Sequence, residues 1–291
     1  MDFEPGIYPH MLDAEYRQIE ALNQSTIKVI DERHVHAGWQ ALYRPTEPTQ
    51  AMIEGTAFHL LVLEPHLFDE QFTSFPMQEE KPESVVIKRG KANLAIWAEW
   101  EAENKARYGL KPDKIAELKE QAAHIRKHPV VGKWIKNAQM REFVVLWEHP
   151  EFGFPCKAKV DAVTVDEWTW VWDLKTTRDA SRDFWKKEIH NRNYLVQAEW
   201  TLQGLNEISP YDRRFAFAAC ETDGYRDIAV YECGPATRFE AKHRIQKVCR
   251  KWSDALLRNE FAGMPTDVQQ IEVPGWAMTN ERDEIDPEEE F

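Results

Sequence analysis

Two aspartates and a lysine stand in the pattern Asp161, eleven residues, Asp173, one residue, Lys175. Carboxylates bind hard divalent cations through oxygen. A lysine beside them can orient a water and offset charge developing on a phosphoryl group. The surrounding residues read as one β-hairpin: stretches 154–165 and 168–175 are rich in Val, Trp and Thr, with Asp166 and Glu167 as the turn. With the hairpin centred near Glu167, Asp161 falls opposite Asp173 and Lys159 opposite Lys175. Alternation puts Asp173 and Lys175 on one face. Asp173 lies between Val171-Trp172 and Leu174, which marks a central strand, and a carboxylate there needs a partner. Directly opposed like charges on a sheet repel unless neutralised, and a divalent cation is the natural neutraliser. Taken singly, either aspartate is equally a solvent-facing residue and Lys175 a salt-bridge partner. The joint pattern implies metal-dependent phosphodiester cleavage.

The elements that must position these residues follow from periodicity and turn chemistry. Helices are expected at 14–23, at 25–34 with Ser25 as cap, and at 49–63, where Met52, Ala57, Leu60, Leu61 and Leu63 are apolar and Glu64-Pro65 ends the run. Residues 68–86 contain proline and read as an irregular surface loop. Residues 91–138 are helical in pattern, interrupted at Pro112 and Pro129, with Trp97, Trp100, Leu110, Ile115, Leu118 and Ile125 as core candidates. Strands at 142–147 and in the hairpin precede a helix over 182–204. Strands at 214–221 and 228–233 and a long basic helix over 237–259 complete the order. Helix, three strands, helix, two strands, helix implies a three-layer α/β domain. Residues 1–265 are read as one domain, with its core at about 49–65 and 141–260 and a helical insertion at about 88–140; 266–291 read as a flexible acidic tail.

A chain of 291 residues, 43% hydrophobic and 12% aromatic, is globular and can bury a large core. The apolar run at 57–63 is too short to span a bilayer, and the first residues lack a secretory pattern. The four cysteines are dispersed without a CxxC, as in a reduced cytoplasmic protein. The net charge of −13 argues against a nucleic-acid partner, but residues 281–291 hold seven acids and one arginine, so −6 of it sits there. Basic clusters at 88–91, 186–187, 213–214 and 242–251 leave a locally basic groove open.

Further candidates lie around the hairpin. His59 stands in Gly55-Thr-Ala-Phe-His59-Leu-Leu-Val-Leu-Glu-Pro65, on an apolar helix where it is either a core residue or, with small neighbours allowing close approach, a metal ligand. Glu142 opens the strand before the hairpin and could add an acidic ligand. Tyr194 and Gln197, within one helical turn of each other, pack or reach the DNA backbone; Arg178 and Lys159 are further candidate DNA contacts. The basic cluster from Lys242 to Lys251 is a solvated face or a phosphate contact.

With these residues assembled, the chain resembles the PD-(D/E)xK nuclease superfamily and, within it, the RecE-type (exonuclease VIII-like) exonucleases of phages and prophages. The resemblance rests on Asn23-Gln-Ser-Thr within 16–30, on Gly55-Thr-Ala-Phe-His59 through Glu64-Pro65, on Lys157-Ala-Lys-Val-Asp161, on Trp172-Asp-Leu-Lys-Thr-Thr177 with Asp179-Ala and Phe184, and on Tyr194-Leu-Val-Gln197-Ala. It implies a restriction-endonuclease-like core with a central mixed sheet flanked by helices. It implies His59, Asp161 and Asp173 as metal ligands, the Leu174 carbonyl as another, and Lys175 as the catalytic lysine. It further implies Mg²⁺ (with Mn²⁺ substituting), 5′-to-3′ digestion of linear duplex DNA to leave 3′ single strands, a ring-shaped homo-oligomer, and a single-strand annealing protein as partner in a bacterial cytoplasm. The chain departs from the family where a tyrosine usually follows the glutamine by four residues: here Gln197 is followed by Trp200-Thr201. Residues 91–140 match only in being helical.

The same hairpin chemistry serves helicase-associated and CRISPR-adaptation nucleases acting on single strands. Many of those hold an iron–sulfur cluster through close-set cysteines, whereas Cys220, Cys233 and Cys249 are far apart in sequence. A non-catalytic DNA-binding module on the same fold is disfavoured by the intact Asp161, Asp173 and Lys175.

Overall fold

The alternation that marks 154–177 as a hairpin produces two central strands, and the rest of the molecule is layered on them. A computed structural model describes residues 3–9, 11–44, 47–78, 84–166, 169–222 and 224–275. In chain order these form β1 (Gly6–Tyr8), α1 (Asp13–Gln18), α2 (Gln24–Glu32), α3 (Val35–Tyr43), α4 (Gln50–Leu63), α5 (Phe68–Gln71), β2 (Phe72–Ser74), α6 (Lys91–Glu103), β3 (Tyr108–Leu110), α7 (Pro112–Ile125) and α8 (Pro129–Asn137). The second half adds β4 (Ala138–Glu148), β5 (Pro155–Val165), β6 (Thr169–Thr177), α9 (Arg182–Asn191), α10 (Tyr194–Ile208), β7 (Arg213–Glu221), β8 (Ile228–Glu232) and α11 (Pro235–Arg258).

Six strands pair in the order β1-β4-β5-β6-β7-β8. The β6–β7 pair is parallel, joined by the α9–α10 crossover, and the other pairs are antiparallel. One apolar cluster joins one face of the sheet to α2, α10 and α11, through residues such as Trp147, Val171, Trp200 and Trp252. A second joins the other face to α4, α7 and α8, through Phe58, Leu118, Trp134 and Trp172. The three-layer α/β architecture is therefore as expected, a mixed, mostly antiparallel sheet between helices.

Local chemistry moved several boundaries. The first helix stops at Gln18, short of the expected 23, because Leu22 leaves the helix to bond across to Pro155 and Lys157. Asn23, rather than Ser25, caps α2: its Oδ1 accepts from the Ser25 and Thr26 amides at 2.9 and 3.0 Å. Pro112 and Pro129 start helices at their first turns, where a missing N–H costs nothing. The stretch expected to be a surface loop from 68 includes α5 and β2, with Phe68 and Phe72 buried in the second core. The helix expected over 182–204 breaks at Asn193, whose φ of 59° is left-handed. That break starts α10 at Tyr194. The hairpin turn at Glu167 and the acidic residues from 281 lie outside the described residues.

Candidate active site

The observed β5–β6 register pairs Val165 with Thr169, Thr164 with Trp170, Val163 with Val171 and Ala162 with Trp172, the centring expected from the sequence. The ladder then stops. Beyond Ala162, β5 stays with β4 while β6 stays with β7 as far as Thr177, so the sheet opens between the two strands. Alternation slips at the same place. Val163 and Val160 join the same core although three residues apart, while Ala162 lies in the core on the other face, whereas an undisturbed strand changes face at every residue. The slip falls at Asp161. Its Oδ2 accepts the Leu174 N–H at 2.8 Å, so the carboxylate replaces the missing ladder bond and spans the opening.

Four elements deliver the remaining groups. On α4, Thr49 caps the first turn by accepting from the Met52 amide at 3.4 Å. The second half of the helix, from Ala57 to Leu63, is buried except at His59, its polar opening toward the cleft. His59 Nδ1 lies 3.2 Å from Asp161 Oδ2 and 3.8 Å from Glu142 Oε1. Glu142 sits on β4 with φ of 43°, a conformation uncommon for a side-chain-bearing residue. Such strain persists where the surroundings impose it, and clusters at functional sites. The backbone twist turns the glutamate to His59 and Asp161, and its Oε2 lies 3.2 Å from Lys159.

On β6, Asp173 is gripped from two sides. Gln197 Nε2 donates to Oδ1 at 2.5 Å and Lys175 Nζ lies 2.6 Å from Oδ2. The ammonium also stands 4.9 Å from the Tyr194 ring. Burial pushes the Asp173 carboxyl up from 3.8 to about 6, and the neighbouring Asp161 charge adds to this against the pull of Lys175. Burial would raise Asp161 too, but the adjoining His59 and Lys175 hold it low. Burial likewise opposes a charged His59, yet Asp161 and Glu142 outweigh it and lift the imidazole to about 10. A cation entering this cluster must displace that proton.

The residues fit a divalent metal. His59, Glu142 and Asp161 each offer a ligand atom, all within 4.8 Å of one another. Glu142 Oε1 is buried yet accepts no hydrogen bond, and Asp173 Oδ2, equally buried, has the Lys175 ammonium at 2.6 Å. Buried carboxylate oxygens are normally satisfied, and hard oxygens beside one imidazole are a donor set that Mg²⁺ or Mn²⁺ accepts.

Beside the cluster opens a cavity of ≈ 550 Å³, lined by His59, Lys175, Arg178, Phe184, Arg192 and Tyr194 together with Leu174 and neighbouring threonines. The Arg178 guanidinium stacks 4.9 Å over Phe184, and Arg192 pairs with Glu188 at 2.5 Å. Of the residues expected at the site, the fold gathers His59, Glu142, Asp161, Asp173, Lys175 and Leu174, with Tyr194 and Arg178 on the cavity wall. The polar atoms of Gln197 and Lys159 lie against Asp173 and Glu142. Lys159 is not laddered to Lys175, because the sheet opens before that pair; it meets Asp13 of α1 at 3.6 Å instead. The basic cluster from Lys242 to Lys251 lies on α11 in the outer layer, where Lys242 pairs with Glu199 of α10. Periodicity gave no sign of the α1 contribution. Lys157, buried on β5, donates to the Tyr16 and Ile19 carbonyls at 2.8 and 2.7 Å and so anchors the end of that helix.

The opened central sheet, with three carboxylates, an imidazole and a lysine converging in its cleft, defines a nuclease core of the PD-(D/E)xK superfamily. Residues 20–271 match the model of the PDDEXK-like domain of unknown function (DUF3799), and the chain belongs to that family. Among solved structures, a "Putative exonuclease" from Eubacterium rectale aligns at a TM-score of 0.56 with 13% identity, over 89% of this chain and 96% of that one, a likeness of fold. SSO0001 aligns over 54% of this chain and 65% of its own at 17% identity, but its TM-score of 0.28 is too low to carry a structural argument. No curated protein matches the sequence. Among the described residues no helix is long and apolar enough to cross a membrane.

Proposed function

We propose that this protein is a Mg²⁺-dependent exodeoxyribonuclease of the RecE type, which digests linear double-stranded DNA from 5′ to 3′ and leaves 3′ single strands for recombination by annealing. The observation that carries this reading is the convergence of His59, Glu142, Asp161, Asp173 and Lys175 where β5 and β6 part. The exonuclease description of the structural neighbour and the sequence motifs favour action at DNA ends.

A divalent cation held by His59, Glu142, Asp161 and Asp173 would supply the positive charge that activates water and stabilises the leaving 3′ oxygen. Lys175, fixed between Asp173 and the Tyr194 ring, orients the attacking water by donating to its oxygen and balances charge on the phosphoryl oxygens. Attack in line leaves the phosphate on the 5′ side of the product. Gln197 keeps Asp173 Oδ1 engaged, which leaves Oδ2, shared with Lys175, for the cation. Arg178 and Tyr194 on the cavity wall receive the DNA backbone. A ring-shaped homo-oligomer, a single-strand annealing partner and a bacterial cytoplasm complete the proposal.

The test compares linear with covalently closed circular duplex in Mg²⁺, for wild type and Asp173→Ala. Linear DNA is expected to be digested, circles to be spared and the variant to be inactive. Digestion of circles at the linear rate overturns the exonuclease reading, and full activity in the variant overturns the site. A label at one 5′ end, released first, is expected if polarity is 5′ to 3′.

A further inference from the structure

The groups around the cleft are not all turned to the same use, and their charges can be counted. Glu142, Asp161 and Asp173 bring three negative charges into the opening between β5 and β6. Lys175 lies 2.6 Å from Asp173 and Lys159 lies 3.2 Å from Glu142, so two of the three are matched by ammonium groups. Asp13, which also approaches Lys159, is itself bound by Arg17 at 2.7 Å and adds nothing net. One negative charge is left over, with His59 as a neutral ligand. One divalent cation converts that excess into a single positive charge, which the single negative charge of a phosphodiester cancels. A second cation would leave two uncancelled positive charges at an enclosed site, where charge is costly to hold.

The carboxylate atoms agree with the count. Glu142 has one oxygen facing His59 and Asp161 without a hydrogen-bond donor, and the other held by Lys159. Asp173 has one oxygen held by Gln197 and the other beside the Lys175 ammonium at 2.6 Å. Asp161 Oδ2 is engaged by the Leu174 N–H and by His59. Two-metal phosphodiesterases place their ions about 3.5–4 Å apart with carboxylates bridging them. Here the outer side of Glu142, where a second ion would share that carboxylate, holds the Lys159 ammonium. Lys159 is itself kept in place from behind by Asp13 of α1, whose C-terminal end is anchored by the buried Lys157.

We infer that the site takes one divalent cation, and that the Lys159 ammonium, steadied by Asp13, occupies the position of a second. This rests on the nuclease reading only in assuming that a divalent cation binds at His59, Glu142 and Asp161. Lys159 thus acts through Glu142, as a positioning and charge-balancing residue.

The experiment is a calorimetric titration of the full-length protein with Mn²⁺ alone, paired with electron paramagnetic resonance of the loaded protein. Neither depends on DNA or activity. Wild type is expected to bind one Mn²⁺ per chain and to show an uncoupled signal. Lys159→Met keeps the aliphatic stem but frees Glu142 Oε2 and removes a positive charge; it is expected to bind two, with the dipolar broadening of a close pair. Lys159→Arg keeps the charge and is expected to bind one. Two Mn²⁺ in wild type overturns the inference and leaves the nuclease reading intact. One Mn²⁺ in both wild type and Lys159→Met overturns the role given to Lys159. No binding in wild type overturns the inference together with the metal site on which the proposed activity depends. Should Lys159→Met fail to fold, as circular dichroism would show, the wild-type stoichiometry and Lys159→Arg still decide the one-cation claim.

Discussion

The two ends of the β5–β6 hairpin are built from one pair of strands and do opposite things. At the end toward the turn, Ala162–Val165 ladder regularly with Thr169–Trp172. The polar groups inside it form a closed chain: Trp172 Nε1 donates to Thr164 Oγ1 at 3.0 Å, and that hydroxyl donates to the Trp134 carbonyl at 3.0 Å. At the other end the ladder is abandoned, alternation slips, Glu142 of the neighbouring β4 takes a left-handed backbone, and its buried Oε1 is left without a donor. The first end spends its residues on packing and satisfied hydrogen bonds. The second gives up both to hold charges close together. The stability that allows the open end to be strained is supplied by the closed one a few residues away.

The sharpest way to break this contrast is to cut the closed end. Trp172 is fully buried against Trp134, with ring centroids 5.9 Å apart. Trp172→Ala is expected to lower stability by about 3–5 kcal/mol, read as a shift of the urea midpoint, while protein that remains folded still binds Mn²⁺. A change of a few tenths of a kcal/mol would show that the closed end does not anchor the hairpin. At the open end, Lys175→Ala is expected to lower kcat by ~10²–10³-fold and leave Mn²⁺ affinity nearly intact, since the lysine serves the water and the phosphate. Loss of metal binding would mean that it holds Asp173 in place instead. Gln197→Leu removes only a hydrogen bond behind a ligand, and a drop of ~10–100-fold in activity or Mn²⁺ affinity is expected. An unchanged affinity with a raised KM for DNA would return Gln197 to the role of a DNA contact.

The closed end was legible in the sequence because its rules are periodic. Val, Trp and Thr alternating around a polar turn gave the register residue for residue, and the helix-strand order gave the layers. The open end was legible only as a list of residue types. Asp161, Asp173 and Lys175 could be named, and His59 and Glu142 offered as additions, but nothing periodic marks a place where periodicity fails. Glu142's positive φ violates local preference and is imposed by tertiary surroundings. Lys157 read only as part of the motif before Asp161, and Lys159 as a candidate DNA contact. Their roles depend on α1, which approaches from more than a hundred residues away in sequence, and no local pattern records that contact.

The smallest expected effect tests whether the open end is strained by its own charge. Asp173 has its carboxyl raised from 3.8 to about 6, by burial first and by the Asp161 charge second. A folded-state value above the unfolded one means that folding favours the protonated form. The ionised group therefore costs stability, fully so above about pH 6, and the cost disappears as pH falls toward 3.8. Asp173→Asn mimics the protonated carboxyl. In metal-free protein it is expected to raise Tm at pH 8, by less near pH 6, and by nothing measurable near pH 4. Adding Mn²⁺ should reverse the order at pH 8, because wild type then gains a ligand interaction that the amide makes poorly. A variant less stable than wild type at pH 8 without metal would mean that the bond to Lys175 outweighs burial and the Asp161 charge. The open end would then be a stable ion-pair network, and the contrast with the closed end would fail.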